Sequence, residues 1–220
     1  IKNQDILLVS GGTGGIVPHA LSELALLQPR LILLGRSRSE SVTSVLENDA
    51  WNTLRRGGAT VEYHTCDIRD AENLKTVLAE IKARHGRIDG IIHAAGVSDN
   101  GSLAALGQEE MRTVMDVKCR GLGNLLACSQ EWGVRYAVAF SSLAAWFGSY
   151  GQAAYAAANR AMACLMETAS VPARVLWLPP VTGAGMAEND ATRAAMHLKN
   201  MDDAWVHCHE LGSLIAREIL

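Results

Sequence analysis

Four residues in the middle of the chain carry a phenol, a hydroxyl, an ammonium and an amide at informative spacing. Tyr155 lies thirteen residues after Ser142 and four residues before Asn159, and Lys118 lies in an earlier segment. Positions i and i+4 share one face of a helix, so Tyr155 and Asn159 would project together. The thirteen-residue spacing selects Ser142 over its neighbour Ser141 as the partner of the tyrosine.

These four groups fit the reduction of a carbonyl compound. Negative charge grows on the carbonyl oxygen when a hydride reaches the carbon, and an acid must donate a proton there. Tyr155 is the candidate acid, and a nearby Lys118 ammonium would stabilise its phenolate. Ser142 would donate a hydrogen bond to the carbonyl oxygen, while Asn159 would complete the polar network or position a water. Each residue alone has an ordinary structural interpretation, but the four together favour a catalytic group.

A glycine-rich turn follows the first predicted strand and opens a helix, which is the context of a dinucleotide-binding turn. Glycines let the backbone approach a pyrophosphate, and the amino terminus of the helix offers unpaired N–H groups. The alternative is a tight turn without a ligand, at a high cost in backbone entropy. The predicted cofactor-binding residues of the turn are Gly11, Gly12, Thr13, Gly14, Gly15 and Ile16.

The end of the second predicted strand indicates which dinucleotide would bind. An NAD site usually has an acidic residue here, whereas this chain has Arg36 and Ser37. A guanidinium pairs with a 2′-phosphate through charge and bidentate hydrogen bonds, so NADPH is the expected cofactor. The alternative is that Arg36 is a solvated surface arginine. The end of the third predicted strand would hold the adenine, and small residues at the end of the fourth would leave room for a flat ring. The predicted cofactor-binding residues there are Cys66, Asp67, Ile68, Ala94, Ala95 and Gly96.

Short apolar runs alternate with longer helical patterns, which predicts an α/β fold. We expect a Rossmann-type, doubly wound parallel sheet with helices on both faces. Residues 1–220 are expected to form a single domain with a lid loop over about 181–203. The predicted strands are Ile6–Ser10, Leu31–Gly35, Thr60–Thr65, Ile88–His93, Tyr136–Ser141 and Arg174–Leu178. The predicted helices are Pro18–Leu27, Ser39–Arg56, Ala71–His85, Glu109–Trp132, Gln152–Thr168, Ala191–Lys199 and Glu210–Ile219, with Val181–Asn189 as a loop.

The composition argues against several classes of protein. The net charge is −3 and Lys and Arg are scattered, so a nucleic-acid partner is not expected. No apolar stretch approaches the roughly 20 residues of a membrane span, so no membrane partner is expected either. Five cysteines without a CxxC pair favour free thiols in a reducing cytoplasm. No metal site is expected, because adjacent residues in His207–His209 point in different directions and no second ligand pair lies at zinc spacing.

The polar group also carries a specific resemblance. The chain resembles the short-chain dehydrogenase/reductase superfamily, in which most members have Lys four residues after the Tyr and Asn on the earlier helix. The ketoreductase domains of polyketide synthases exchange the two, and this sequence shows the exchanged form, with Lys118 early and Asn159 late. The matching stretches, which span nearly the whole chain, are Leu33–Ser37, Phe140–Ser142, Gly148, Gly151, Gln152 and Tyr155–Asn159.

The resemblance implies an NADPH-dependent reductase of a polyketide synthase, or of a related iterative polyketide or polyunsaturated fatty acid synthase. The implied substrate is a β-ketoacyl chain on the phosphopantetheine of an acyl carrier protein, and the product is the β-hydroxyl. The implied partners include other synthase domains of the same polypeptide. Lys118 would also hold the nicotinamide ribose, so Lys118 and Tyr155 count among the predicted cofactor-binding residues.

Two departures from the family pattern keep other functions open. Val17 replaces the last glycine of the usual turn, so the helix is expected slightly further from the sheet. Pro179 lies where many relatives have a glycine-rich stretch that contains Trp. The alternatives are a free-standing reductase of a small diffusible ketone and a non-catalytic domain that keeps the fold. Product stereochemistry stays open, because residues 98–100 and Phe147 match neither stereochemical class fully.

Overall fold

The computed structural model describes residues 1–98, 102–186 and 205–220, in which strands and helices alternate. The strands are β1 (Ile6–Ser10), β2 (Arg30–Gly35), β3 (Thr60–Thr65), β4 (Gly90–His93), β5 (Tyr136–Ser142), β6 (Ala173–Leu178), β7 (Val181–Thr182) and β8 (Val206–His207). The α-helices are α1 (Val17–Ala20), α2 (Ser39–Leu46), α3 (Asp49–Arg56), α4 (Ala71–His85), α5 (Gln108–Met115), α6 (Gly121–Trp132), α7 (Ala144–Phe147), α8 (Ala153–Glu167) and α9 (Leu211–Ile219). Within these ranges, no helix has the length and apolar character that a membrane span requires.

Within the described residues, the first six strands form one parallel sheet in the order β3-β2-β1-β4-β5-β6. The chain moves outward in one direction from β1 to β3, then returns to the other side of β1 with β4. The register places Ser10 beside both Leu34 and His93, so the loops after β1, β2 and β4 leave the same edge of the sheet. Ligands of open α/β sheets bind at this reversal of strand order. The predicted fold class is confirmed.

Alternate residues of β2 enter two separate cores, which explains why the strand is apolar throughout. Leu31 and Leu33 pack in the core that contains Trp51. Ile32 and Leu34 pack in the core on the opposite face, under the helices that follow β3 and β4. Because both faces are covered, neither set of positions tolerates polar side chains.

The helix predicted over Pro18–Leu27 is wrong in its type and extent. The α-helix ends at Ala20, and Ser22–Leu27 forms a 3₁₀-helix. The change from α-helix to 3₁₀-helix lies where α9 packs closely against this segment. A Cβ at Gly212 of α9 would overlap the Ser22 hydroxyl. Val17 is 1% exposed and belongs to the apolar core beneath α1.

Two other predicted helices are interrupted. The prediction over Ser39–Arg56 is wrong in joining α2 to α3, because Asn48 Oδ1 accepts a hydrogen bond from the Trp51 amide at 3.1 Å and caps α3. The helix predicted over Glu109–Trp132 contains a π-helical turn at Asp116–Arg120, between α5 and α6. Such turns are rare and occur frequently at functional sites.

The end of the chain differs most from its prediction. The segment Val181–Asn189 was expected to be a loop, but it begins with β7, which pairs in parallel with β8. No local pattern indicates this pairing, because the partner strand lies more than twenty residues away. The predicted helix Ala191–Lys199 and most of the lid loop about 181–203 lie outside the described residues. Another 3₁₀-helix, Cys208–Glu210, precedes α9.

The first prediction concerns the packing of β4 on β5. A Cβ at Gly90 would overlap the ring of Tyr136, whose hydroxyl donates to Asp5 at 2.6 Å and is therefore held in place. Gly90→Ala should lower the free energy of unfolding by about 1–3 kcal/mol, as overpacked cores do. In the control Gly123→Ala, the new methyl group has no neighbour within 4 Å, so stability should stay equal or rise by up to about 1 kcal/mol. Urea denaturation of the two variants measures the difference, and equal stabilities would contradict this account.

Candidate active site

Two adjoining clefts open at the carboxyl edge of the sheet. The inner cleft is lined by Lys118, Ser142 and Tyr155, among others. The outer cleft runs from the glycine-rich turn across the ends of β2, β3 and β4. The two clefts share four lining residues: Ile16, Ala94, Gly185 and Met186.

Lys118 extends from the π-helical turn into the inner cleft. The residue is 3% exposed, and its Nζ donates a hydrogen bond to the Phe140 carbonyl of β5 at 2.7 Å. Burial lowers the pKa of Lys118 to about 8. Gly96 leaves space for this amine, since a Cβ there would lie 2.9 Å from Lys118 Cε. The Phe140 carbonyl therefore holds the ammonium on one side, and the absent side chain of Gly96 leaves room for it on the other.

Two residues that the sequence analysis did not single out fix the backbone of Lys118. His93 is fully buried, with Nε2 3.1 Å from the Lys118 carbonyl and Nδ1 2.7 Å from Ser10 Oγ. A carbonyl can only accept, so Nε2 donates to it and the Ser10 hydroxyl donates to Nδ1. Burial lowers the pKa of His93 to about 3, which keeps the ring neutral. The sequence signal that could have identified His93 is a histidine at the end of an otherwise apolar strand.

Tyr155 lies at the amino-terminal end of α8, where its ring lines the inner cleft beside Ser142. Burial raises the pKa of Tyr155, while hydrogen bonds with the Ser142 and Asn159 side chains oppose the increase. The resting phenol is therefore a weaker acid than in water, because desolvation outweighs its polar neighbours. Ser141 Oγ donates instead to the Asn159 carbonyl at 3.3 Å, so it braces α8 against β5.

Asn159 lies behind Tyr155 and is fully buried. Its Nδ2 donates to the Tyr155 carbonyl at 2.9 Å, which is the contact expected at i and i+4 on one helix. Its Oδ1 is buried and has no hydrogen-bond partner in the described ranges. Buried acceptors without partners are rare in folded proteins, and a catalytic role is one explanation for them.

Most of the predicted cofactor-binding residues line the outer cleft. Gly12 does not, because a Cβ there would lie 2.7 Å from the Leu33 side chain in the core. Gly11 has φ of +73°, and its Cβ would lie 2.5 Å from Ala95 Cα, so only glycine fits. Lys118 and Tyr155 line the inner cleft instead. The predicted residues that line the outer cleft are Gly11, Thr13, Gly14, Gly15, Ile16, Arg36, Ser37, Cys66, Asp67, Ile68, Ala94, Ala95 and Gly96.

Arg69 is a further residue of the outer cleft that the sequence analysis missed. Its guanidinium binds both carboxylate oxygens of Asp67, with Nε 3.0 Å from Oδ1 and Nη2 2.7 Å from Oδ2. The hydrogen bond with Arg69 lowers the pKa of Asp67, and the charge of Arg36 contributes in the same direction. Two guanidiniums therefore face one carboxylate, which leaves excess positive charge at the end of the cleft where Arg36 lies.

The far side of the inner cleft is apolar and opens to solvent. Phe147 lines it and is 73% exposed, whereas the adjacent Trp146 packs against Trp177 with ring centroids 5.1 Å apart. Gln152 Nε2 donates to Ser98 Oγ at 2.9 Å across the cleft mouth. An extended apolar substrate could enter here and reach the tyrosine.

The outer cleft has the features that a dinucleotide needs. The absent side chain at Gly11 brings the turn close to β4, and the Gly14 amide donates to the Gly11 carbonyl at 2.9 Å to close the turn. The positive end near Arg36 suits a phosphate, and the junction with the inner cleft lies beside Lys118 and Gly96. The residues present therefore fit a nicotinamide dinucleotide whose reactive ring would face Tyr155.

Solved structures support the fold that these clefts define. A short-chain dehydrogenase from Mycobacterium paratuberculosis bound to NAD superimposes with a TM-score of 0.77 at 17% identity, covering 97% of this chain and 90% of its own. A ketoreductase from the first module of phoslactomycin biosynthesis in Streptomyces sp. HK803 has a TM-score of 0.75 at 26% identity. That match covers 90% of this chain and 46% of the ketoreductase. The fold is that of the nicotinamide-dependent oxidoreductases of the short-chain dehydrogenase/reductase class.

The KR domain family model matches residues 6–181, and the chain belongs to this family of ketoreductase domains. Polyketide synthase GfsA of Streptomyces halstedii is 34% identical over 188 residues, which cover 84% of this chain and 2% of that synthase. The chain therefore spans a small part of its much longer curated relative. The resemblance drawn from the exchanged lysine and asparagine is confirmed.

A second prediction tests the space that Gly96 leaves for the amine. Gly96→Ala should displace the Lys118 ammonium and lower the rate of carbonyl reduction by roughly 100-fold, since small misplacements in an active site cost about that much. The control Gly107→Ala adds a methyl group with no neighbour within 4 Å and should keep its activity. Steady-state kinetics and circular dichroism separate a local effect from unfolding. A fully active Gly96→Ala variant would contradict the role assigned to this glycine.

Proposed function

We propose that this chain is the catalytic ketoreductase domain of a polyketide synthase or related synthase. It would use NADPH to reduce the β-keto group of a chain carried by an acyl carrier protein. The observation that carries the proposal is the convergence of Tyr155, Ser142 and Lys118 in one cleft, with Asn159 directly behind the tyrosine. We also propose that residues 1–220 act as one domain, in the cytoplasm, beside other domains of the same polypeptide.

The protonation states of the site suit reduction near neutral pH. The pKa of Lys118 is about 8, so below that pH the group is mainly an ammonium. The raised pKa of Tyr155 keeps its hydroxyl protonated over the same range. Below about pH 8, Tyr155 therefore carries the proton to be donated, and Lys118 carries the positive charge that would stabilise the phenolate.

Each residue of the inner cleft has its own role in carbonyl reduction. The bound dinucleotide supplies the hydride. The Ser142 and Tyr155 hydroxyls donate hydrogen bonds to the substrate carbonyl oxygen, and the Tyr155 proton moves to that oxygen as its negative charge develops. The Lys118 ammonium stabilises the resulting phenolate, while Asn159 holds the Tyr155 backbone in place.

Charge in the outer cleft supports the choice of NADPH. Asp67 pairs directly with Arg69 at 2.7 Å, so its charge is matched mainly by Arg69 rather than by Arg36. The carbonyl of Ser37 accepts hydrogen bonds from Tyr63 at 2.7 Å and Thr65 at 3.1 Å, which fixes the backbone beside Arg36. The 2′-phosphate of NADPH would therefore contact a loop whose backbone is fixed and which carries the Arg36 guanidinium.

The main test compares substrates and removes the acid. Purified protein should oxidise NADPH with a β-ketoacyl thioester on an acyl carrier protein far faster than with a small free ketone. Tyr155→Phe should lower this rate about 100-fold or more while the variant still binds NADPH, because general acids contribute at least that factor. Tyr150→Phe is the control, since Tyr150 is 75% exposed and lies outside the residues that line the inner cleft.

The outcomes of this test separate the three candidate functions. A preference for the small ketone would support a free-standing reductase instead. NADPH binding without turnover of any carbonyl substrate, or no binding at all, would support a non-catalytic domain. Unchanged turnover in Tyr155→Phe would reject the assigned acid.

A fourth prediction addresses cofactor choice. Arg36→Ala should weaken NADPH binding about 10- to 100-fold, the loss expected for hydrogen bonds between charged groups. NADH binding should change little, because it lacks the 2′-phosphate. Arg38→Ala, which removes another exposed arginine two residues away, should leave both affinities unchanged. Fluorescence titration of the two cofactors measures each value, and equal losses for NADPH and NADH would remove Arg36 from the phosphate site.

A further inference from the structure

Two histidines and a cysteine meet on the side of the molecule where α1 contacts the C-terminal segment. His19 comes from α1, and Cys208 and His209 come from the 3₁₀-helix after β8. One ligand atom from each of the three lies within 4.8 Å of the others. None of the three lines the inner or the outer cleft. The cluster is therefore separate from the proposed reaction site.

The surroundings of these side chains hold them together. The His19 and His209 rings are edge to face with centroids 5.2 Å apart. His207 stacks on His209 at 4.8 Å, and its Nδ1 accepts a hydrogen bond from the His209 amide. Cys208 is 2% exposed, and Gly183 leaves it space, since a Cβ there would lie 3.0 Å from Cys208 Sγ. Partly buried and exposed ligands together give an ion access from solvent.

We propose that His19, Cys208 and His209 form a binding site for a divalent transition metal ion, with Zn²⁺ as the preferred occupant. Two imidazole nitrogens and a thiolate are ligands that Zn²⁺ favours, and a water can complete the tetrahedron. Binding would release the Cys208 thiol proton to solvent, because the thiolate is the ligand.

The position of the cluster gives the ion a structural role. It joins α1, which directly follows the glycine-rich turn, to the segment that starts with β8. That strand pairs with β7, and the residues just after β7 contact the turn: a Cβ at Gly15 would lie 3.1 Å from the Gly185 amide. An ion at the cluster would therefore tie the C-terminal segment to the element that frames the outer cleft.

Near the adjacent residues His207–His209, the sequence has no second ligand pair at zinc spacing. His19 lies almost 190 positions earlier, and only the fold brings it to them. Adjacent residues of a 3₁₀-helix still point in different directions, but His19 approaches from α1, and the three ligand atoms lie within 4.8 Å of one another. Ligand spacing along the sequence therefore does not reveal a cluster that only the fold brings together.

Cobalt titration of the full chain, without a polyhistidine tag and under reducing conditions, tests the site. One equivalent of Co²⁺ should produce tetrahedral d–d bands and a thiolate-to-cobalt charge-transfer band, and Zn²⁺ should displace it. Cys208→Ser should abolish the charge-transfer band. His209→Gln should weaken Co²⁺ binding at least about 10-fold, the smallest loss usual even for outer-shell changes. Because His209 is exposed, this variant should still fold.

Matched controls distinguish this site from binding elsewhere on the surface. Cys164→Ser removes an exposed thiol of α8, and His85→Gln removes an imidazole that contacts Glu62. Both should retain the wild-type cobalt spectrum and affinity. Zn²⁺ should also raise the melting temperature of the wild type but not of Cys208→Ser. A wild-type protein without the charge-transfer band, or a His209→Gln variant with unchanged affinity, would overturn the proposal.

Discussion

The buried ammonium of Lys118 is the constraint on which the rest of the site depends. Removing a charge from water is costly unless the group is hydrogen-bonded, and here the Phe140 carbonyl accepts from Nζ at 2.7 Å. The amine reaches that carbonyl only because a π-helical turn carries it inward and Gly96 leaves room for it. His93 then holds the turn through the Lys118 carbonyl.

This arrangement requires several elements in register at once. β4 supplies His93, β5 supplies Phe140 and Ser142, and α8 supplies Tyr155. The pairing of His93 with Ala139 places the imidazole that contacts the Lys118 carbonyl next to Phe140, whose carbonyl accepts from the Lys118 amine. An error of one residue in this register would turn every side chain of the shifted strand to the other face. The polar site is thus a consequence of the sheet topology rather than of any single motif.

The fold class, and the gathering of Lys118, Ser142 and Tyr155 in one cleft, could be predicted from the sequence because their signals are local or repeated. Buried parallel strands are apolar throughout. Ser142 ends β5 and Tyr155 lies thirteen residues later in α8, so their spacing can be read directly from the sequence. The errors came from interactions that a local pattern does not show. The Asn48 cap splits a helix, β7 pairs with a distant strand, and Arg69 neutralises Asp67. The hydrogen bonds from Ser10 to His93 and from His93 to the Lys118 carbonyl likewise depend on strands that only the fold places side by side.

Direct titration of Lys118 tests the central claim most simply. Proteins labelled with ¹³C and ¹⁵N in lysine give one side-chain signal per amine, and the Lys118 signal is identified by its loss in Lys118→Met. Burial beside Phe140 predicts that this amine titrates at about 8, well below the ordinary value of 10.5. A Lys118 signal that titrates at the ordinary value would show a solvated amine and would contradict the site described above.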